Sequence, residues 1–426
     1  MDNGIMLCIV GAGSSYTAEL IDGLLGFTYE QLPVTEIRLH DIAPERLEVI
    51  ASLAQRMVAR TGRSIVIRHG GNLAALLDGV DFVITQIRVG GMPARALDEK
   101  IPLQYGIIGQ ETTGPGGMFK ALRTIPPMLE IARAVERIAP QAFILNYTNP
   151  SGIITEAVCR HTKARMIGLC AGIPQLQARV QELLQEQFGT VRTYCVGLNH
   201  LGFIHKFVAE GRDITPEALE VLFNIASGAE DHAGIAKPEI IRYLRAVPLS
   251  YLHYYLDRRE AVEQARARTR TRAEDIMEIE RLIFAEECDP ATVSKPAALA
   301  RRGGGGYAGV TFEFLRAIHF NTGEELVCTV PNRGAVAGIE AEAGVEIVCN
   351  VGRSGPQPLP VGPIPLAFRG LVQAVKAYES LTVEAAVQQN RTLAIQALIN
   401  HPLVGDLAVA ESLVDALLAA HGLCYT

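Results

Sequence analysis

Short apolar runs alternate with longer amphipathic stretches through the first half of the chain, and no other feature limits the fold so sharply. Such a rhythm belongs to a parallel sheet whose strands are joined by crossover helices. Strands are expected at Leu7–Val10, Glu36–His40, Ser64–Arg68, Asp81–Gln86, Ala142–Asn146 and Arg165–Leu169. Helical patterns fill the gaps at Ser15–Leu25, Pro44–Thr61, Asn72–Leu77, Ala121–Ile138 and Gly152–Thr162. Six strands connected in this way make a doubly wound sheet of the Rossmann type, in which ligands gather at the carboxyl ends of the strands. From about Tyr194 the pattern changes. Strands are expected at Tyr194–Asn199, Phe203–Ala209, Leu326–Val330 and Val345–Val351, with helices at 236–256, 268–287, 307–319 and from Leu366 onward. The expected fold class is therefore α/β, a doubly wound parallel sheet (residues 1–195) followed by a mixed α+β domain (residues 196–426) for substrate and oligomer contacts. Gly352–Pro365, with five prolines, reads as a loop or linker.

Composition narrows the function. The 426 residues carry 39 Lys and Arg against 46 Asp and Glu, a net charge of −7, which disfavours a nucleic-acid partner. No apolar run approaches the roughly 18 residues that span a bilayer, and the start Met1-Asp2-Asn3-Gly4 lacks the positive region of a secretory signal. Eight cysteines lie scattered without a CxxC pair, the usage expected of reduced thiols in the cytoplasm.

Val10-Gly11-Ala12-Gly13-Ser14-Ser15-Tyr16 follows a strand and opens a helix. Gly11 suits a tight turn, Gly13 lets a pyrophosphate approach, and the helix start, with Ser14 and Ser15 as further cofactor-binding candidates, offers free N–H groups to the anion. Tyr16 stands where the usual third glycine would be. Asp41 ends the second strand 28 residues past Gly13, where its carboxylate accepts the two ribose hydroxyls of NAD and disfavours the 2′-phosphate of NADP. The same residues also fit a plain strand-to-helix turn with Asp41 capping the next helix. Two further polar segments follow strand ends: Gln86–Gly91 running on through Arg95 to Gly109-Gln-Glu-Thr-Thr-Gly-Pro-Gly-Gly117, and Asn146-Tyr-Thr-Asn149-Pro-Ser-Gly152. Both suit a ligand better than a core. Asn149 can donate to and accept from sugar hydroxyls, or cap the next helix.

With these motifs the chain resembles glycoside hydrolase family 4, the NAD- and metal-dependent glycosidases, and among them the 6-phospho-β-glucosidases. The resemblance continues through Gly168-Leu-Cys170, Gly197-Leu-Asn-His-Leu201, Tyr251-Leu-His-Tyr-Tyr255, Arg302-Gly-Gly304 and Asn400-His-Pro402, covering nearly the whole chain. It implies a homodimer or homotetramer and a manganese-type ion held by Cys170 and His200, with open positions left for water and a substrate diol. Tyr251 matches the family's catalytic base; Tyr254 and Tyr255 are close neighbours, and a base with an ordinary pKa near 10 needs a nearby cation. Arg88, Arg95 and Arg272 are candidates for the phosphate of the sugar, or for ion pairs. The resemblance breaks after the cysteine. Where the β-specific members carry Asn and the α-specific ones Asp, this chain has Ala171-Gly172, and Gln175 or Asn199 are the nearby polar residues that could take over. The expected reaction is hydrolysis of a 6-phospho-β-glucoside by transient oxidation at C3, deprotonation at C2 and elimination at C1. Alternatives are a relative acting on an unphosphorylated glycoside or uronide, a lactate/malate-type NAD-dependent dehydrogenase, and a non-catalytic NAD sensor.

Overall fold

The computed structural model describes residues 4–303 and 305–426; Met1–Asn3 and Gly304, the end of the Arg302-Gly-Gly motif, lie outside the described residues. The six expected strands form: β1 (Ile5–Val10), β2 (Val34–His40), β3 (Val66–Gly70), β4 (Phe82–Thr85), β5 (Phe143–Asn146) and β6 (Arg165–Gly168). They are mutually parallel and run in the order β3-β2-β1-β4-β5-β6, the doubly wound arrangement. Most of β1, β4 and β5 is fully buried, because helices cover both faces of a parallel sheet and leave no wet side for polar residues.

The same sheet continues past β6. Strand Glu324–Pro331 joins β6 antiparallel through the pair Thr329 and Gly168, then pairs with Gly344–Gly352, which pairs with Gly355–Pro358. The nine-stranded sheet thus ends on a strand inside the proline-rich stretch read above as a loop. An edge position explains it, since a proline whose nitrogen faces outward loses no ladder hydrogen bond.

A smaller antiparallel sheet is built on the hairpin β7 (Val191–Leu198) and β8 (Leu201–Ala209), extended by Val247–Pro248 and Arg212–Asp213. Its own apolar cluster includes Ile173, Leu176, Ile204, Phe207 and Leu249. The helix expected at 236–256 is broken into Pro238–Leu244, a short strand and a turn at Ser250–Leu252. Arg245 in the left-handed region (φ +50°) ends the first helix, and Pro248 cannot continue it. Conversely, the polar segment read above as following a strand end holds a helix after Gly90, Gly91–Gln104. Its start at two left-handed glycines reads as loop, whereas its buried Met92, Ala94 and Ala96 pay out only in the packed fold.

Candidate active site

Two cavities meet at the carboxyl ends of the parallel strands. The larger, about 980 Å³, lies over the β1 turn and is walled by Asp41, Gln86–Pro93 and the helix Arg272–Cys288. The smaller, about 520 Å³, is walled by Arg95, Glu111, Cys170, His200, Tyr251 and Arg272. Tyr16, Arg88, Tyr147, Asn149, Arg302 and Tyr307 line both, so the two spaces share one wall.

The β1 turn is made possible by its glycines. Gly11 has φ +85°, and a Cβ there would lie 2.9 Å from the backbone of Gln86 and Ile87. At Gly13 a Cβ would lie 2.9 Å from an Asp41 carboxylate oxygen, and the Gly13 N–H donates to that oxygen at 2.7 Å. The other Asp41 oxygen accepts from the Ala43 N–H at 2.9 Å. Asp41 therefore clamps the glycine turn while standing on the cavity wall with Gly11, Gly13 and Ser14. Ser15 is buried beneath the turn, its hydroxyl 3.5 Å from Glu280, and is not among the lining residues.

In the smaller cavity Cys170, at the end of β6, and His200, in the two-residue turn between β7 and β8, come together. The Cys170 Sγ lies 3.8 Å from the His200 Nε2. Two strands from different sheets thus deliver one sulfur and one imidazole to one point. His200 is held at φ +64°, an uncommon conformation for a residue with a side chain, which the tight Leu198–Leu201 turn imposes. Its ring stacks on Tyr251 with centroids 4.4 Å apart and 18° between planes. Burial lowers the His200 pKa to about 4, so the imidazole is neutral and free to act as a ligand. Burial, and then Glu346, push the Cys170 thiol up to about 12. A divalent cation would have to displace that proton. The donor set fits such an ion: a soft sulfur and a neutral nitrogen side by side, with no third protein ligand beside them among the described residues. Among the described residues no cluster of three or more His, Cys, Asp or Glu competes as a metal site.

Burial also raises the Tyr251 phenol above its ordinary value, with Cys170 and Glu111 adding to the rise and Arg95 opposing it. The protein alone therefore does not prepare this tyrosine as a base; an added positive charge at Cys170 and His200 would. Asn199, beside His200, is not among the lining residues; its amide donates to Glu346 at 3.0 Å. Asn149 lines both cavities, and its side-chain oxygen accepts from the Ser151 N–H at 3.4 Å.

The charges of the site are organised around Glu111, which sequence reasoning quoted within a motif but gave no role. Burial works against its ionisation, yet Arg88 at 2.6 Å, Lys120 at 2.5 Å and Arg95 at 2.9 Å hold its carboxyl well below the usual carboxylate range. Burial lowers the Lys120 ammonium to about 7. Arg95 has a second partner in Glu99 at 2.7 Å. Arg88 and Arg95 are thus already committed to carboxylates, whereas Arg272 donates to the Arg302 carbonyl at 2.7 Å and pairs with no carboxylate among the described residues. Around them Tyr16, Tyr147 and Tyr307 pack edge to face, and Arg302 lies 4.0 Å over the Tyr16 ring. Lys120 and Tyr307 carried no sequence signal of their own, and Tyr147 was quoted within a motif without a role, since only the tertiary fold brings the three together.

Comparison with known proteins gives the same fold over the same length. The profile of the Family 4 glycosyl hydrolases matches residues 6–186, and that of their C-terminal domain matches residues 195–404. A probable 6-phospho-beta-glucosidase of Bacillus subtilis is 36% identical over 99% of this chain and 97% of its own length. The 6-phospho-beta-glucosidase of Escherichia coli is 34% identical, covering 99% and 96%. The structure of the 6-phospho-beta glucosidase from Thermotoga maritima with NAD and glucose-6-phosphate superposes with a TM-score of 0.88 at 30% identity, covering 99% of this chain and 100% of that one. The chain belongs to glycosyl hydrolase family 4.

Proposed function

We propose that the protein hydrolyses 6-phospho-β-glucosides with NAD⁺ and a divalent cation of the manganese type. The observation that carries this reading is the meeting of a dinucleotide-sized cavity with one holding Cys170, His200 and Tyr251 across a shared wall. Support comes also from the two phospho-β-glucosidase relatives and from the Thermotoga structures, one of which holds manganese, NAD⁺ and glucose-6-phosphate.

When bound, NAD⁺ supplies a hydride acceptor for C3 of the sugar and the cation supplies Lewis-acid polarisation of the oxidised sugar. The chain's own residues do the rest. Gly11, Gly13 and Ser14 receive the pyrophosphate, Ser15 supports the turn from below, and Asp41 takes the ribose. Cys170 and His200 hold the cation. Asn149, on the shared wall, orients the pyranose hydroxyls. Arg272, without a carboxylate partner, takes the phosphate, with Arg88 and Arg95 adding field from their places around Glu111. Asn199 belongs to the substrate region through the His200 turn it shares. Tyr251 removes the proton from C2, acidified by oxidation at C3, so that the C1–O bond can break by elimination. Water adds at C1 to complete the hydrolysis.

Among the described residues no helix is long and apolar enough to cross a membrane. All eight cysteines are free, which supports a cytoplasmic setting, and the family resemblance supports a homodimer or homotetramer. The division near residue 195 into a cofactor half and a substrate half is part of the same reading, since Tyr251, His200 and Arg272 come from the second half.

Comparing 4-nitrophenyl β-glucoside with its 6-phosphate, with NAD⁺ and Mn²⁺ each present or omitted, tests the proposal. Turnover of the phosphorylated compound only, and only with both additions, is expected. Equal turnover of the two compounds would remove the phosphate requirement, and a steady accumulation of NADH would replace hydrolysis by net oxidation.

A further inference from the structure

A further cavity, about 290 Å³, opens at the amino ends of β5 and β6, the opposite end of the sheet from the candidate active site. Strand β6 joins Glu324–Pro331 through one pair, Thr329 with Gly168; past that pair Met166 and Ile167 no longer bond to Val330 and Pro331, and these four residues line the cavity. Pro331 has no N–H with which to continue the ladder. Arg165 starts β6 inside this cavity, and Cys170 lies five residues further on, roughly 16 Å away along an extended chain.

The wall carries three cations, Lys163, Arg165 and Arg333, and no carboxylate. None of the three side chains pairs with a carboxylate among the described residues. Glu136 accepts from the Lys163 backbone N–H at 3.1 Å and Glu340 from Arg160 at 3.2 Å, and neither acid stands on the wall. Arg165 is held in place: its Nη1 donates to the Gln141 carbonyl at 3.0 Å, its Nη2 to the Ser354 carbonyl at 3.2 Å, and its guanidinium carbon lies 3.7 Å over the Phe143 ring. Neutral partners of this kind orient the charge without cancelling it. Arg333 stands just past Pro331 in the left-handed region (φ +47°), its N–H donating to the Ala341 carbonyl at 2.8 Å. Burial pushes the thiol of Cys159, on the same wall, up to about 12, and Arg333 opposes that rise, so its charge is felt inside the cavity. Ser354 and Gln357 add a hydroxyl and an amide without partners among the described residues, beside the apolar surface of Phe143, Pro356 and Pro358.

A fixed guanidinium, two further cations and two neutral donors around one space match a tetrahedral dianion, which offers several oxygens at once. A carboxylate, with one charge, leaves two of the cations unmatched. The volume sits at the lower end of the roughly 300–1,000 Å³ of small-molecule sites.

We propose that this cavity binds the phosphate group of a small molecule, at a site separate from the catalytic one. The phosphate lies among Lys163, Arg165 and Arg333, and an organic part rests on Phe143 and the two prolines.

Hydrogen–deuterium exchange of the NAD⁺- and Mn²⁺-loaded enzyme, read peptide by peptide, tests this, because it reports the two sites separately. The probes are inorganic phosphate and glucose-6-phosphate at low millimolar concentration, against sodium chloride at equal ionic strength. Exchange in segments 162–166 and 331–335 is expected to slow several-fold with phosphate and not with chloride. Slowing by glucose-6-phosphate alone assigns the site to a phosphate ester, and slowing by inorganic phosphate, with or without the ester, to the anion itself. In Lys163→Ala and in Arg333→Ala, both at exposed positions, the concentration giving half the slowing is expected to rise about tenfold or more. No slowing at these segments by either compound, slowing matched by chloride, or slowing unchanged in both variants overturns the proposal, whatever happens at the catalytic cavity.

Discussion

Glu287 is 1% exposed on the helix Arg272–Cys288, and neither of its carboxylate oxygens has a hydrogen-bond partner among the described residues. Burial raises its pKa from 4.5 to about 8, opposed by Arg46 and reinforced by Glu280 and Glu286. The native state therefore binds this proton more tightly than the unfolded chain does. The stability it contributes is complete below about pH 4.5 and is lost as the pH rises through about 8. At about 1.36 kcal/mol per pH unit the full effect is about 5 kcal/mol, and water reaching the ionised carboxylate lowers it to about 2–5 kcal/mol. Glu287→Gln keeps the shape and cannot ionise. Urea unfolding of parent and variant at pH 5, 7 and 8.5 is expected to give nearly equal midpoints at pH 5 and a growing advantage for the variant above it. The same helix supplies Met277, Glu280, Arg281 and Phe284 to the wall of the larger cavity, so NAD⁺ affinity of the parent is expected to weaken over the same range. A difference between the two proteins that does not change with pH would refute the reasoning.

Five substitutions test the site. Cys170→Ser is expected to weaken Mn²⁺ binding, read by electron paramagnetic resonance, by more than the roughly 10–100-fold that loss of an outer partner costs; unchanged binding would remove Cys170 as a ligand. Asp41→Ala removes the acceptor of the Gly13 N–H and is expected to weaken NAD⁺ binding about tenfold to a hundredfold by calorimetry. Arg272→Ala is expected to raise KM for the phosphorylated substrate and leave the unphosphorylated one as poor as before. Tyr251→Phe is expected to lower kcat by about 10²–10⁴ with little change in KM, and a larger effect from Tyr254→Phe would move the base to the neighbouring residue.

The cofactor half was legible because each of its parallel strands, buried on both faces, reads as an unbroken apolar run between helices of clear periodicity. The second half was harder. Gly355–Pro358 hides its strand under prolines that an edge position tolerates, and Arg245 breaks a helical pattern with a backbone conformation its residue type does not announce. In the site, the glycine turn and Asp41 carry their own local signal, whereas Cys170 and His200 lie 30 residues apart and were marked only by the family resemblance. The cage of Arg88, Arg95 and Lys120 around Glu111 joins residues from a loop and two helices, and the three-tyrosine wall joins Tyr16 to Tyr307. Neither has a sequence period, because the contacts exist only once the crossovers have folded.

The most direct measurement follows the hydrogen on C2 of the sugar. Hydrolysis of phenyl β-glucoside 6-phosphate in D₂O, followed by proton magnetic resonance of the product, is expected to show deuterium at C2, since Tyr251 removes that proton and solvent returns one. A product fully protonated at C2, released without need of NAD⁺, would contradict the oxidation and elimination on which the account stands.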